Sequence, residues 1–322
     1  MINRKTEKKI QQATVIGAGV MGHGIAQFLA YNGLKVTLVD NNEKNLEQAK
    51  KWIDDNLKVM VDLGEIKETE ISSLLSRIVF ATELSESIKG SKYVLEAITE
   101  NLEIKKKIWK IMGEYSDGDA ILASNTSSYD INELGKGVPN EERVIGTHWF
   151  HPPPITPCVE VIPSEKTNDS TIHFVVDFLK DIGKIPTKCE SAPGFVANRL
   201  QMALAAEAIA LVENGLATPN EVDQIVKTSF GFRLSAYGPF EIIDQAGADT
   251  YLSIFEYLYE KLGKKHFKPP RLLTDQVKAG CLGLKVSKGF YDYTEGAADS
   301  VRRNRDRKLY ARLRLFNKEA ID

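Results

Sequence analysis

Three cysteines among 322 residues, Cys158, Cys189 and Cys281, are too few and too scattered for a disulfide framework or a cysteine-built metal site. They fit buried free thiols in a reducing compartment, and no metal is expected. No segment approaches the roughly 18 consecutive apolar residues of a membrane span. The charged N-terminal stretch MINRKTEKKIQQ has no apolar core of the kind a secretory signal carries. A cytoplasmic protein is the expectation. An excess of one charge is missing as well: 42 Lys and Arg against 44 Asp and Glu leave a formal net charge of −2. That gives no global field toward nucleic acid or an anionic membrane. Internal repeats and low-complexity segments are also absent. What remains is ordinary globular material, 43% hydrophobic and 27% charged, long enough for two domains with their own cores.

The informative stretch is ATVIGAGVMGHGIAQFLAYNGLKVTLVD, residues 13–40. A short apolar run meets Gly17, Gly19 and Gly22 in the spacing G-x-G-x-x-G, a helical segment follows, and a second apolar run ends on Asp40. Gly17 permits the tight turn out of the strand, Gly19 lets a pyrophosphate approach the backbone, and Gly22 lets helix and strand pack closely. With Val20 and Met21 these glycines form the candidate phosphate loop, at the positive end of the following helix. A carboxylate at Asp40 can accept from both ribose hydroxyls and repels the extra phosphate of NADP. Glycine-rich turns are common, but strand, glycines, helix, strand and acid in this order make a dinucleotide site, and NAD is the expected cofactor.

Strand-like and helix-like segments alternate up to about residue 190, as a doubly wound parallel sheet requires. Strands are expected at 13–16, 36–39, 78–81, 93–97, 120–124, 143–149 and 184–189, and helices at 43–63, 68–75, 103–115 and 171–182. Beyond Ala192-Pro193-Gly194 the spacing is helical throughout 195–213, 220–229 and 239–262. The division expected is a Rossmann-type NAD-binding domain over 1–190 and an all-α domain for substrate binding and dimerisation over 191–322. The basic tail SVRRNRDRKLYARLRL, 300–315, reads first as a solvated helix docked through Leu309 and Leu313, with anion or subunit binding as the alternative.

Oxidising an alcohol requires a base for its proton. His148 lies at the end of a strand, where open α/β sheets bind ligands. His151-Pro152-Pro153-Pro154 should then reverse the chain and carry Glu160 back toward an imidazole, which it can orient and whose positive charge it can stabilise. Taken singly, a His before a turn is more often a structural donor and a strand Glu more often a solvated residue. Ser127, within Ser124-Asn125-Thr126-Ser127-Ser128, offers a hydroxyl at another strand end, or simply a turn. Asn198, at the opening of the helical domain, offers an amide to the ligand, or satisfies backbone near the helix start.

The chain resembles the L-3-hydroxyacyl-CoA dehydrogenase superfamily. The resemblance rests on GAGVMGHGIA, Glu96-Ala97-Ile98-Thr99-Glu100, ASNTSS, THWFHPPPITPCVEVI, APGFVANR and GPFEIID, spread in order over nearly the whole length. It implies His148 as general base, Glu160 as its orienting partner, and Ser127 and Asn198 as donors to the reacting oxygen. It further implies Glu100 and Lys105 along the cofactor, a helical domain that dimerises, and an active site between the domains. The implied reaction interconverts an L-3-hydroxyacyl-CoA and its 3-oxoacyl-CoA. Some features depart from the acyl-CoA pattern. Trp149 and His151 stand where Phe and Asn are usual, and His151 is either structural or a competitor of His148. Ser287 stands where Gly is usual. Pro157 and the segment Gly231 to Pro239, with Arg233, are similar to relatives acting on free hydroxy acids, such as gulonate or carnitine dehydrogenases. Arg233 suits a bidentate carboxylate contact or a salt bridge. A non-catalytic, crystallin-like member of the superfamily is a third reading, opposed by the presence of all four catalytic candidates.

Overall fold

A computed structural model describes residues 10–294 and 296–319. The charged N-terminal stretch lies largely outside the described residues. No helix among the described residues is long and apolar enough to cross a membrane. The chain divides into two compact units, Met1–Ala205 and Ala206–Asp322.

In the first unit, strands and helices alternate: β1 (Gln12–Ile16), α1 (Gly22–Tyr31), β2 (Lys35–Val39), α2 (Glu43–Asp62), α3 (Ile71–Leu75), β3 (Ile78–Ala81), α4 (Leu84–Ser87), β4 (Tyr93–Glu96), α5 (Leu102–Tyr115), β5 (Ile121–Ser124) and α6 (Ile131–Gly135). They are followed by β6 (Val144–Trp149), β7 (Cys158–Pro163), α7 (Asp169–Asp181), β8 (Ile185–Lys188) and the start of α8 (Ala197–Glu213). The strands form one sheet in the order β3-β2-β1-β4-β5-β6-β7-β8. All neighbours run parallel except β6 and β7, which are antiparallel. The order reverses between β1 and β4, the switch point where such sheets take ligands.

Both sheet faces are covered, and the period of two explains how. Val15, Tyr93, Leu95 and Ile145 join a core with Ile25, Leu29, Ile53 and Leu179 on one face. Val94, Leu122 and Val144 join Trp109, Met112 and Leu134 on the other. The helices begin on side-chain caps: Asn42 accepts from Lys44 N, Asn101 from Ile104 N and Asn168 from Thr171 N. The expected parallel sheet followed by a helical part is what the chain forms.

The second unit contains the rest of α8, then α9 (Pro219–Thr228), α10 (Phe230–Leu234), α11 (Pro239–Ala246), α12 (Ala248–Leu262), α13 (Arg271–Lys278) and α14 (Ala298–Glu319). The buried carboxylate of Asp244 ties α11 to the segment before α14, accepting from Phe290 N at 2.9 Å, Tyr291 N at 3.0 Å and Tyr293 Oη at 3.0 Å. Three expectations need correction. The helix expected over 239–262 is two helices, because Gly247 takes φ +105 between them. The tail is helical, but Leu313 is 40% exposed. Its half-buried stripe is Val301, Arg305, Leu309 and Arg312, and Arg312 Nε donates to Ser235 Oγ at 2.7 Å. The three cysteines are free but half-buried rather than buried, since each sits at or just beyond the end of an element.

Ser287 adopts φ +59, a left-handed conformation that costs an L-residue about 1–2 kcal/mol. Ser287→Gly relieves that cost against a glycine entropy penalty of up to about 1 kcal/mol. The expected outcome is a higher thermal midpoint by calorimetry; a lower one would show that the serine is held without strain.

Candidate active site

The antiparallel turn after β6 decides the site. In the β6–β7 register His148 stands directly opposite Glu160, so their side chains share one face at close range. His148 Nδ1 lies 2.8 Å from Glu160 Oε2, and both residues are 4% exposed. Glu160 Oε1 accepts from the backbone N–H of Ala197 at 2.9 Å and of Val196 at 3.2 Å, at the start of α8. Burial alone would raise the carboxyl's pKa, but the hydrogen bond from His148 and those two amides outweigh it and hold it below the usual range. Glu160 is therefore an anion that only accepts, which places the imidazole proton on Nδ1 and leaves the Nε2 lone pair facing Ser127 Oγ at 3.0 Å.

The turn that delivers those amides is strained. Phe195 is 2% exposed with φ +47, following Gly194 at φ +73, and its ring packs 5.8 Å from that of His148. Such a conformation persists only where its surroundings enforce it.

A second group of charges holds the loop bearing Ser127. Glu100 Oε1 accepts from Thr126 Oγ1 at 2.6 Å, Ser127 N at 3.0 Å, Ser128 N at 3.1 Å and Ser128 Oγ at 2.7 Å. Burial opposes ionisation there, and the Thr126 and Ser128 hydroxyls with Lys105 reverse it, lowering the Glu100 pKa. Lys105 Nζ bridges Glu100 Oε2 at 3.1 Å and Glu96 Oε1 at 2.7 Å. Glu96, fully buried at the end of β4, also accepts from Ser124 Oγ at 2.9 Å and Ile98 N at 2.9 Å. Asn198 Nδ2 donates to the Ser127 carbonyl at 3.2 Å, using one of its two N–H groups. Asn125 Oδ1 accepts from Trp149 N at 2.8 Å, locking this loop to β6.

The glycine loop is built to admit a pyrophosphate. A Cβ on Gly22 would lie 1.7 Å from the Gly17 carbonyl oxygen, so helix and turn meet without room for a side chain. A Cβ on Gly19 would meet nothing within 4 Å, leaving open space above the loop. The N–H groups of Gly19, Val20 and Met21 donate to no acceptor among the described residues. Asp40 is oriented by Ala18 N at 2.9 Å, Asn42 N at 3.0 Å and Asn45 Nδ2 at 3.0 Å. Beside it a cleft of about 370 Å³ is lined by Gly17, Gly19, Asp40, Thr82, Ile98 and Ile104. These features fit a dinucleotide.

The sequence model of the 3-hydroxyacyl-CoA dehydrogenase NAD binding domain matches residues 12–192, and that of the C-terminal domain matches 194–293. The chain belongs to the 3-hydroxyacyl-CoA dehydrogenase family. It is thus an NAD-dependent oxidoreductase by kinship. A probable 3-hydroxybutyryl-CoA dehydrogenase of Deinococcus radiodurans is 38% identical over 279 residues, 87% of this chain and 99% of the relative. A 3-hydroxyacyl-CoA dehydrogenase structure from Archaeoglobus fulgidus superposes with a TM-score of 0.77 at 32% identity, covering 95% of this chain and 99% of that one. A 5-formyl-3-hydroxy-2-methylpyridine 4-carboxylate 5-dehydrogenase of Mesorhizobium japonicum is 32% identical over 308 residues, 95% of this chain and 98% of the relative.

Within this family member, Ser127, His148, Glu160 and Asn198 come together in the first compact unit. His151 does not join them; it is exposed, and its ring makes no hydrogen bond among the described residues. Arg233, exposed on α10, makes no ion pair or side-chain hydrogen bond among the described residues. The salt bridge considered for it is therefore not formed there. Sequence reasoning gave no role to Glu96, Asn125 or Phe195, nor to the amides of Val196 and Ala197. Only the Ala192-Pro193-Gly194 turn signal hinted at the last of these.

Because Glu100 carries the Ser127 loop, Glu100→Ala is expected to lower kcat by about 10²-fold through misplacement. Steady-state turnover checks this, and an unchanged kcat would mean that the loop holds itself.

Proposed function

We propose that this chain interconverts an L-3-hydroxyacyl-CoA and its 3-oxoacyl-CoA, with 1–190 as the NAD-binding domain and 191–322 for substrate binding and dimerisation. The observation that carries the proposal is the imidazole of His148 set between the Glu160 carboxylate and the Ser127 hydroxyl. The names of the D. radiodurans and A. fulgidus relatives support the thioester class.

Gly17, Gly19, Val20, Met21 and Gly22 would hold the pyrophosphate, Asp40 the adenosine ribose, and Glu100 with Lys105 would flank the cofactor. Bound NAD supplies the hydride acceptor. As the β C–H bond gives up its hydride, His148 Nε2 takes the hydroxyl proton and the carbon–oxygen double bond forms. Glu160 keeps the imidazole in the tautomer with Nε2 free and balances the charge it gains. In reverse, imidazolium returns the proton while Ser127 Oγ and the second Asn198 N–H stabilise the oxygen as negative charge develops.

A second reading has a specific observation behind it. The M. japonicum dehydrogenase, whose name gives it a substrate with a free carboxylate, is 32% identical over 95% of the chain. In that reading the substrate is a small free hydroxy acid whose carboxylate is anchored by Arg233. For assembly, the exposed Leu216, Ile225, Ile254 and Tyr257 support a homodimer, which sedimentation velocity tests. Three free thiols support a reducing compartment such as the cytoplasm.

Purified protein is expected to oxidise NADH with acetoacetyl-CoA, and His148→Ala to lose that turnover by about 10²–10⁴-fold. Turnover only of free hydroxy acids with NAD, lost in Arg233→Ala, would establish the second reading instead. Glu160 has a pKa lowered in the fold. Its contribution to stability is therefore full above the unfolded value of about 4.5 and disappears as pH falls through the lower folded value. Acid titration by circular dichroism should show a larger loss of stability in the wild type than in Glu160→Gln, which keeps the contributions of Glu100 and the other carboxyls held below their usual range.

A further inference from the structure

Lys184 follows Gly183 in the turn between α7 and β8 and is only 5% exposed. Its ammonium donates to the carbonyls of Pro153 at 2.6 Å and Thr156 at 2.8 Å. It also lies 3.8 Å over the ring of Phe28 and 5.3 Å from that of Trp149. No carboxylate pairs with it among the described residues, and burial pulls its pKa down to about 8. A buried cation without a counter-charge is costly, and an apolar side chain would fill the same space without that cost. What the ammonium provides, and an apolar group does not, is two donated hydrogen bonds and a cation–π contact at once.

The three segments it joins are those that set the reaction geometry. Trp149 is the last residue of β6 and adjoins His148. Pro153 and Thr156 belong to the loop that leaves β6 and returns as β7 with Glu160. Phe28 lies on α1, whose N-terminal end carries the phosphate loop. The loop also packs on the first turn of α1: a Cβ on Gly24 would lie 3.1 Å from Pro153 Cδ. We propose that Lys184 is a positioning residue, an ammonium clamp that fixes His148 relative to α1 and hence to the bound cofactor. This rests on the proposed role of His148.

The test compares wild type, Lys184→Met and Phe28→Leu for kcat, NAD affinity and the pH dependence of turnover. Lys184→Met should lower kcat by about 10²-fold, with the NAD Kd within about threefold of wild type. Wild-type turnover should decline as pH rises through about 8, and the residual turnover of Lys184→Met should lack that decline. The titratable groups on the surrounding elements are His23 and Tyr31 on α1, His148 on β6, His151 in the loop, Cys158 and Glu160 on β7, Asp169, His173, Asp177, Lys180 and Asp181 on α7, and Lys188 on β8. Their contributions persist in the variant, so the difference between the two profiles belongs to Lys184.

Between about pH 8 and the unperturbed value of 10.5, the fold favours the neutral amine, so stability from this group rises with pH while the clamp is lost. A merely structural lysine would not separate turnover from stability in this way. Phe28→Leu removes the ring under the ammonium and should give a smaller loss of the same pattern, which decides the matter if Lys184→Met does not fold. An unchanged kcat, an alkaline decline that persists in Lys184→Met, or parallel loss of NAD affinity would overturn the clamp. A wild type inert toward both thioesters and free hydroxy acids would instead overturn the proposed function. In that case the rate at which diethyl pyrocarbonate modifies His148 still reads the clamp: a changed rate in Lys184→Met supports it and an equal rate refutes it.

Discussion

A carboxylate sits almost fully buried between two strands and a helix, and the site is arranged around satisfying it. Glu160 has no water-facing alternative, so its negative charge depends on the His148 Nδ1 proton and on the amides of Val196 and Ala197. Each of these donors comes from a different segment: β6, the turn at Phe195 and the first turn of α8. Removing any one leaves a charge partly uncompensated in a low-dielectric interior, which costs several kcal/mol in general. The same bonds that stabilise the anion also fix the imidazole tautomer. Fold stability and chemical competence are therefore set by one interaction.

The remaining polar interior follows the same pattern on a larger scale. Glu96, Lys105 and Glu100 form a line of alternating charge from the end of β4 to the loop after β5, and the free oxygen of Glu100 collects the donors of that loop. Ser127 is thus held through its own backbone N–H and its neighbours' donors, all of which converge on Glu100. Lys184 performs an analogous task behind Trp149 with carbonyls in place of carboxylates. The residues facing a ligand are short and few, and longer buried charges determine where they stand.

Several of the candidate site residues come from the end of a strand or the turn after it, because the sheet supplies a rigid row of ends at one edge. His148 leaves β6, Ser127 follows β5, and Asp40 follows β2. Two candidates arrive otherwise: β7 runs antiparallel and brings the mid-strand Glu160 to the same place, and Asn198 comes from the first turn of α8. The proline-rich turn lies at this reversal, and in the proposed reaction the reversal is what adds an acid–base pair to a nucleotide-binding sheet.

The roles expected of the four candidate side chains came from the family resemblance, while the sequence by itself determined the glycine loop and the alternation of strands and helices. These are local properties: side-chain period, turn chemistry and spacing act within some twenty residues. Where it went astray, the cause was also local. The single helix expected over 239–262 overlooked what Gly247 does at φ +105, and the docking expected of Leu313 treated a helix face without knowing its neighbour. Tertiary structure alone decided that Glu160 meets His148 rather than solvent, because strand register is a relation between distant segments. It alone decided that Phe195 bends left-handed to present two amides, and that Lys184 is buried without an anion. A charged residue looks the same in sequence whether it ends in water or in the core; only the packing of other elements around it sets its hydration, its partners and its proton.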